Sequence, residues 1–563
     1  MKSKLIILIA SLALFANCSL DEQMYIAVED NFIRKESDVD FLIAGIYSNL
    51  QGNSGYKNYI NSLNFFSEDI YAVTSATYKN HTIRNISVGD SRVRSIWVTY
   101  YQSIGATNTL MKNVTTSKVL SDEFKKRIMG ELHFLRAFMY YELVRMYGGV
   151  PIRTEPVTGG SDFYLKRNTV DEVYSQIFSD LENASLSCLN YKEQPAAEKG
   201  RPTKGAAQAF MASAALTYAC YLELNEKSSE APDYYEKATL YADSVITSGQ
   251  YVLLNNYADL FDIGKEAAAY DEVIFGIQFT QDTKAASASS RGSEWAYLTQ
   301  PSNRYGICGN VSNQKGSNAI RIQPWFYDVC TTGDYEGDYR SEVSFLTRFK
   351  YQDTETYSVT YPLLPDTDNG DRSSPELYPF LDKYKDPTGL QALNNGNDLY
   401  LMRLAEVYLI KAEALNELNG APTPEAYQAF NKIRERARKA NGVTRTKPAD
   451  LTGPLSKEEF RMKIYDERGL EFVGEAKRNF DNIRMRYIDN KTTMMEYRYN
   501  DFYKNMPAAV NKKPTFSLSA YGTGKVYTDV VVEWTPRFLI WPIPAAEMQD
   551  NVNMTQNTDF EWY

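Results

Sequence analysis

The segment that most constrains the fold is LRAFMYYELVRMYGGVPI, residues 135–152, because it places apolar side chains on two sides of one helix. One stripe, which begins just before this segment, comprises Leu132, Leu135, Met139, Leu143 and Met146. A second stripe comprises Phe134, Phe138 and Tyr141. A helix with two apolar sides must be covered by neighbours on both. We therefore predict layered helices, with this one capped by Ser121 or Asp122 and ended at Gly148.

Further segments show helical spacing and are rich in small residues. TKGAAQAFMASAALTYACYLEL (203–224) and LMRLAEVYLIKAEALNELNG (401–420) carry alanines that let neighbouring helices approach closely. Paired helices of this kind are typical of tetratricopeptide-like repeats, in which each unit of ~34 residues buries its faces against the next. The fold class is predicted to be mainly α, with a tetratricopeptide-like helical-hairpin scaffold formed by residues 36–250 and 398–485.

Two stretches instead contain short apolar runs separated by loops. Residues 251–397 include DEVIFGIQFT and residues 486–540 include KVYTDVVVEW, each predicted to form a strand. Because binding residues concentrate on loops held by a rigid scaffold, these stretches are predicted to form a variable, loop-rich, short-strand insertion subdomain that binds the ligand. Residues 541–563 are predicted to be a C-terminal segment packed on the scaffold.

The N-terminus has the layout of a secretory signal. Lys2 and Lys4 precede the apolar run LIILIASLALFA, which is too short to span a bilayer. Residues 1–17 are expected to be removed. Cys18 resembles the lipidated residue of bacterial lipoproteins, and the following SLDEQ is similar to the acidic export tag of Bacteroidota surface lipoproteins. We expect a lipid on Cys18 and a tether over residues 18–35; the alternative is an ordinary secretory signal in which Cys18 is incidental.

Composition excludes several functions for this chain of 563 residues. The formal net charge of -10, with no cluster of Lys and Arg, argues against a nucleic-acid-binding protein. His81 and His133 are the two histidines of the sequence, so a three-His zinc site cannot be built. Four cysteines after the signal are too few for a disulfide framework, although Cys308 and Cys330 could form a local bridge.

Six blocks of the chain resemble motifs of the SusD/RagB family of outer-membrane nutrient-binding lipoproteins. LRAFMYYELVRMYGGVPI is similar to the family's helix that runs into a Leu-Tyr-Gly-x-Val-Pro-Leu motif. The other blocks are GRPTKGAAQAFMASAALTYA, YLMRLAEVYLIKAEALNELNG, NKIRERA, IYDERGLEFVGEAKRNFDNIR and FLIWPIPAAEMQDNVNMTQNTDF. They follow the family's order along nearly the whole chain. The sequence departs from the motifs at Ala476, where Gly is usual, and at Lys477, where His is usual.

The resemblance implies a tetratricopeptide-like scaffold whose variable loops bind glycans or other nutrients, seated as a lid on a SusC-like TonB-dependent transporter. The predicted function is therefore binding of an oligosaccharide or polysaccharide at the cell surface and its delivery to that transporter, without catalysis. The predicted location is the outer membrane, contacted through the lipid anchor alone. A peptide ligand, as in the RagB branch of the family, remains the alternative within the binding class.

A glycoside hydrolase is the alternative from the enzyme class. Glu467 and Glu471 lie one helical turn apart, and carboxylates ~5 to 6 Å apart on a helix face could imitate the pair of a retaining glycosidase. Arg468, Lys477 and Arg478 interleave with these acids, however, which favours a charge network between helices. No catalytic residue is predicted.

One acidic loop is a weak candidate for calcium. Asp366, Asp368 and Asp371 in DTDNGD supply oxygen ligands, but the EF-hand register requires Gly at position 6 and Gly370 falls at position 5. A solvated acidic turn is the favoured interpretation, with structural calcium as the alternative. No other cofactor is predicted.

The sequence is rich in aromatic residues, with 43 Tyr, 26 Phe and 6 Trp. A flat ring can stack on the apolar face of a sugar while nearby polar groups bind its hydroxyls. The predicted ligand-binding residues of the 291–327 stretch are Trp295, Tyr297, Asn303, Arg304, Tyr305, Trp325 and Tyr327. Tyr71 and Tyr78 form a second group. Trp325, which follows Pro324, is the predicted anchor; its alternative role is packing in the core, and Trp97 is predicted to be structural.

Overall fold

The structure is a computed structural model that describes residues 33–57, 62–64, 67, 69–72, 81, 84, 86–225, 227–281, 292–302, 304, 316–350, 357–359, 378–389, 394–502 and 533–557. Helices dominate this part of the chain. The α-helices are α1 (Glu36–Gln51), α2 (Ser91–Thr116), α3 (Asp122–Tyr147), α4 (Val170–Ser187), α5 (Lys204–Leu224), α6 (Ala231–Thr247), α7 (Glu266–Ala269), α8 (Trp295–Thr299), α9 (Pro324–Thr331), α10 (Tyr339–Ser344), α11 (Leu404–Asn419), α12 (Pro424–Ala437), α13 (Lys457–Glu471), α14 (Arg478–Arg484), α15 (Met494–Tyr497) and α16 (Ala545–Asp550).

Short antiparallel strand pairs accompany the helices. The strands are β1 (Ile70–Ala72), β2 (Val273–Ile277), β3 (Ile320–Ile322), β4 (Phe345–Leu346), β5 (Arg348–Lys350), β6 (Tyr357–Val359), β7 (Phe380–Leu381), β8 (Leu399–Arg403), β9 (Lys439–Ala440) and β10 (Val443–Thr444). The pairs are β1 with β3, β2 with β8, β4 with β7, β5 with β6, and β9 with β10. The predicted strand in DEVIFGIQFT is thus confirmed as β2, whereas most of KVYTDVVVEW lies outside the described residues.

Helix α3 has the two covered sides that its sequence predicts. Both apolar stripes are buried. The rings of Phe134 and Phe138 pack edge-on against Phe210 of α5, with centroid distances of 5.3 and 5.6 Å. Ser121 caps the helix by accepting a hydrogen bond from the backbone N–H of Phe124, and Gly148 ends it with a φ of 72°. The predicted boundaries of this helix are confirmed.

Consecutive helices pack against one another in the order α1 to α6, then α6 on α11 and α11 on α12. Small residues allow the close crossings: a Cβ atom added at Gly130 of α3 would lie 2.8 Å from the Cβ of Ser187 on α4. The alanines of α5 are buried for the same reason. This stack, in which each helix is covered by its neighbours in sequence, confirms the predicted mainly α, tetratricopeptide-like fold class.

The C-terminal stretch returns to the first helices. The backbone N–H of Trp541 donates to the carbonyl oxygen of Met146 at 2.7 Å, and the ring of Trp541 packs edge-on against Tyr147. Residues 541–557 therefore lie against the end of α3. Within the described residues, no helix has the length and apolar character required to cross a membrane. The assignment of residues 251–397 and 486–540 to ligand-binding insertions stays a prediction.

Candidate functional site

The two tryptophans predicted to bind ligand have buried rings. Trp325 is 6% exposed and packs edge-on against Phe326 and Phe502, with Arg498 over its ring at 4.8 Å. Trp295 is 2% exposed and packs edge-on against Tyr384. Neither ring is exposed in this structure, because the segments that carry them fold onto the core. The surroundings of Trp325 fit its alternative role, core packing, and ligand binding by these two rings stays a prediction.

The other predicted residues of this stretch take part in internal contacts or lie outside the described residues. Arg304 forms an ion pair with Asp382 and donates to Gln300 at 2.7 Å. Tyr327 is half-buried and packs edge-on on Phe345, and burial raises the pKa of its phenol. Tyr297 is also half-buried. Tyr71 lies on β1, where its backbone pairs with Arg321. Asn303, Tyr305 and Tyr78 lie outside the described residues.

Glu467 and Glu471 lie in a buried charge network. Arg340 contacts both acids, at 2.7 Å from Glu467 and 3.1 Å from Glu471. Arg434 lies 3.0 Å from Glu467, and Arg403 lies 2.9 Å from Glu471. All five side chains are buried. The network joins α10, β8, α12 and α13, so the predicted structural interpretation of these acids is confirmed.

The pKa values of these two acids are shifted in the direction opposite to that required of a catalytic acid. Burial alone would raise the pKa of each carboxyl, but the guanidinium groups outweigh it: Arg340 and Arg434 lower the pKa of Glu467, and Arg436, Arg403 and Arg340 lower that of Glu471. Both carboxylates are ionised and already paired. A glycosidase acid needs a raised pKa, so a hydrolase that uses this pair is contradicted by their surroundings.

The remaining sequence candidates yield no site in the described residues. Cys330 is a free, buried thiol whose pKa is raised by burial, so the possible bridge to Cys308 is not formed in this structure. Cys308 itself, Cys18, and the calcium candidates Asp366, Asp368 and Asp371 lie outside the described residues. Within those residues, no group of three or more His, Cys, Asp and Glu side chains could hold a metal ion.

An open cavity of about 340 Å³ instead lies beside α2. Its aromatic and apolar lining residues are Trp97, Val98, Tyr101, Pro151, Phe163 and Leu165. Its polar lining residues are Gln102, Arg153, Glu547 and Asn551. The ring of Phe163 is 56% exposed, so it is available to a ligand in a way that the rings of Trp325 and Trp295 are not. We call this cavity the aromatic cavity.

Three distant parts of the chain meet at the aromatic cavity. On α2, Trp97 and Tyr101 lie one turn apart, and the Tyr101 hydroxyl donates to the carbonyl oxygen of Pro151 at 2.7 Å. Arg153 donates to the carbonyl oxygen of Phe163 at 2.9 Å, which holds the loop that carries that ring. The indole N–H of Trp97 donates to Glu547 at 3.3 Å. The ring of Trp97 is buried, as predicted for a structural residue, yet it also forms part of the cavity wall.

A second open cavity, of about 430 Å³, adjoins the first along α2. Its lining residues are Ser48, Asn49, Gly52, Asn53, Ser54, Arg94, Ser95, Val98, Thr99 and Gln102. Val98 and Gln102 line both cavities, so the two share one wall. We call this second space the polar cavity, and the two together the α2 groove. The groove combines exposed aromatic area with hydroxyl, amide and guanidinium donors, which is the composition of a site for a polyhydroxylated ligand.

The sequence analysis did not indicate the α2 groove, because it placed the ligand in residues 251–397 and 486–540 and at Tyr71 and Tyr78. The groove residues come from positions 48–54, 94–102, 151–165 and 547–551, which are adjacent only in the folded chain. The one available signal was Phe163 in the loop between α3 and α4, because an aromatic residue among Gly, Ser and Asp has no helical stripe to join.

The chain has similar relatives over most of its length. SusD-like protein P25 of Formosa agariphila is 26% identical over 516 residues, which cover 85% of this chain and 88% of that protein. A solved SusD homolog from Bacteroides thetaiotaomicron superposes with a TM-score of 0.77 at 20% identity, covering 95% of this chain and 98% of that one. A solved laminarin binding SusD-like protein has a TM-score of 0.67 at 22% identity, covering 94% and 100%. These structures share the fold.

Sequence profiles of known families match both parts of the chain. The profile described as "Starch-binding associating with outer membrane" matches residues 19–216, and its description fits an outer-membrane-associated protein. The profile described as "SusD family" matches residues 271–562, which is more than half of the chain. Together with the helical stack and the relatives above, this match shows that the chain belongs to the SusD family.

Proposed function

We propose that this protein binds an oligosaccharide or polysaccharide in the α2 groove and does not cleave it. The observation that carries the proposal is the pairing of exposed aromatic area, above all Phe163, with the donors of Gln102 and Arg94 along one wall of the groove, which are unengaged within the described residues. Rings of this kind stack on sugar faces, and amides and guanidinium groups bind hydroxyls. The laminarin-binding relative of the same fold supports a glycan as the class of ligand.

The same proposal includes the cellular setting. The signal layout of residues 1–17 and the position of Cys18 support a lipid-anchored protein at the outer surface of the outer membrane. The family resemblance supports a SusC-like TonB-dependent transporter as the partner that receives the glycan. Replacement Cys18→Ala should release the protein from the outer-membrane fraction or impair its processing. A Cys18→Ala protein that fractionates with the outer membrane like the wild type would contradict the lipid anchor.

The binding function is tested with a glycan panel and isothermal titration calorimetry on the purified protein, with peptides of matched length as a second panel. We expect heat of binding with one or more glycans and no reducing sugar released on prolonged incubation. Binding of peptides alone would overturn the proposal in favour of a RagB-like peptide-binding protein. Release of product in proportion to protein, lost in Glu467→Gln or Glu471→Gln, would restore the hydrolase alternative.

A further inference from the structure

The polar cavity contains an arginine without an internal partner. Arg94 is exposed in the first turns of α2 and lines the cavity. Within the described part of the chain, its guanidinium forms no ion pair and no hydrogen bond, and the side-chain amides of Asn49, Asn53 and Gln102 around it are likewise unengaged. The lining residues described for this cavity include no carboxylate. The donors here are therefore free for a ligand.

The charge of the α2 groove is opposite to that of the whole protein. The chain carries 71 acidic and 61 basic residues. Among the described lining residues of the groove, Arg94 and Arg153 are the cations and Glu547 is the one carboxylate. Glu547 accepts hydrogen bonds from Trp97 at 3.3 Å and Asn551 at 3.4 Å, and Arg153 donates to the carbonyl oxygen of Phe163 at 2.9 Å, so Arg94 is the charged lining residue without an internal partner among the described residues. A local positive excess on an acidic protein favours an anionic ligand.

Arg94 is placed to act on the same ligand as the aromatic cavity. Arg94, Val98 and Gln102 follow one another at four-residue intervals and so lie on one face of α2. The eight residue steps from Arg94 to Gln102 span ~12 Å along the helix at 1.5 Å per step. A glycan chain that stacks at Tyr101 and Phe163 and continues along α2 passes Gln102 and reaches Arg94. One extended ligand can therefore use both cavities.

We infer that the glycan bound in the α2 groove is acidic and that a carboxylate or sulfate on it pairs with Arg94. This inference rests on the proposed function and adds the chemical class of the glycan. A guanidinium binds either anion through two parallel N–H donors, which a neutral hydroxyl cannot match in strength. Uronate and sulfate share this chemistry, and the two arms of the test separate them.

The test uses the purified full-length protein and two matched pairs of probes. The first pair is an oligogalacturonate and its methyl ester; the second is a sulfated galactan oligosaccharide and its desulfated form. We expect the wild type to bind one charged member at least tenfold more tightly than its neutral counterpart, with the affinity falling as salt rises. Arg94→Gln should lose about tenfold in affinity for the charged member, and Arg94→Lys should recover part of that loss.

The matched control is Lys112→Gln, which removes one positive charge from the same helix outside both cavities. This control should bind like the wild type. Equal affinity for the charged and neutral probes, or equal effects of Arg94→Gln and Lys112→Gln, would overturn the inference while glycan binding itself stands. Binding of neutral glycans alone would also overturn it. Absence of binding to every glycan on the panel would instead contradict the proposed function.

Discussion

The 291–327 stretch and the α2 groove both contain aromatic residues, but the rings differ in their exposure to solvent. Trp325 and Trp295 lie in the core, whereas Phe163 lies more than half exposed at the mouth of a cavity. A buried aromatic ring stabilises the folded protein, and an exposed ring can bind a ligand. The same residue type therefore serves either role. An aromatic-rich loop is therefore weak evidence of a binding site until its exposure is known.

Two arginines show the same contrast, one in the buried charge network and the other in the α2 groove. Arg403 is buried and its guanidinium contacts Glu272 and Glu471 at 2.9 Å each and Glu475 at 2.8 Å. Arg94 is exposed and forms no ion pair within the described residues. The first arginine has its anions supplied by the protein, and the second is free to bind an anion from solution. Paired substitutions can therefore separate the region that holds the fold from the region that binds.

The largest expected effect is the loss of stability on replacement of Arg403. Arg403→Ala should lower the free energy of unfolding by about 3 to 5 kcal/mol, because it leaves buried carboxylates without a cation. Arg94→Ala should change it by less than about 0.5 kcal/mol, as for other exposed positions. Urea unfolding of the two variants measures the difference. Equal stabilities would show that the buried network does not hold these elements together.

The next largest expected effect is the loss of stability on replacement of Trp325. Trp325→Ala should cost about 3 kcal/mol of stability through the cavity left between Phe326 and Phe502. Glycan affinity at a temperature where the variant is folded should stay within about twofold of the wild type, which is ~0.4 kcal/mol. Thermal melts and calorimetry on one preparation check both quantities. A large loss of affinity with an unchanged melting temperature would return Trp325 to the binding site.

The charge network also predicts a dependence of stability on pH. The pKa values of Glu467 and Glu471 are lowered in the folded state, so their contribution is complete above the unfolded pKa of ~4.3 and falls as the pH drops towards the folded values. The expected slope is about 1.4 kcal/mol per pH unit for each carboxylate. Glu266 and Asp398, with pKa values raised to about 8 and about 7, contribute a slope of opposite sign until the pH is well below their unfolded pKa values of ~4.3 and ~3.9; by pH ~3 they are protonated in both states and add almost no slope.

Urea unfolding between pH ~3 and ~2, where Glu266 and Asp398 are protonated in both states, measures this slope. Because the network is buried, the slope should persist in about 0.5 M salt, whereas contributions from exposed pairs should decline. A flat profile in this range would mean that these acids have ordinary pKa values in the folded protein.

Local patterns in the sequence predicted local structure well. The two stripes of α3, its Ser121 cap and strand β2 all follow from spacing along a few turns of chain. A charge network around Glu467 was also predicted from the neighbouring Arg468, Lys477 and Arg478, but its partners are Arg340 and Arg434 on other helices. Even the unusual Ala476 is explained locally: its φ of 57° lies in the left-handed region, which is why Gly suits this position better. Periodicity determines which side of an element is apolar, so such features need no knowledge of distant residues.

The α2 groove, the proposed binding site, could not be predicted in the same way. Whether Trp325 or Phe163 is exposed depends on what packs over each ring, and the groove wall joins α2 to residues as far away as Asn551. No spacing rule relates these positions, because their proximity is created by the helical stack and by the returning C-terminal segment. The aromatic count indicated a class of binding chemistry, but it carried no information on which rings are exposed.

The smallest expected effect is the loss of glycan affinity on replacement of the exposed Phe163. Phe163→Ala should weaken glycan binding about tenfold, equivalent to ~1.4 kcal/mol, because a half-exposed ring gains less from stacking than a fully desolvated anchor. The melting temperature should hardly change, since the ring contributes little to the core. The matched control is Phe41→Ala on α1, which removes a 77% exposed ring that lines neither cavity. Titration calorimetry measures the glycan affinity of both variants. If Phe163→Ala and Phe41→Ala bound the glycan with equal affinity, the ring of Phe163 would not contact the ligand, and the α2 groove would be contradicted as the binding site.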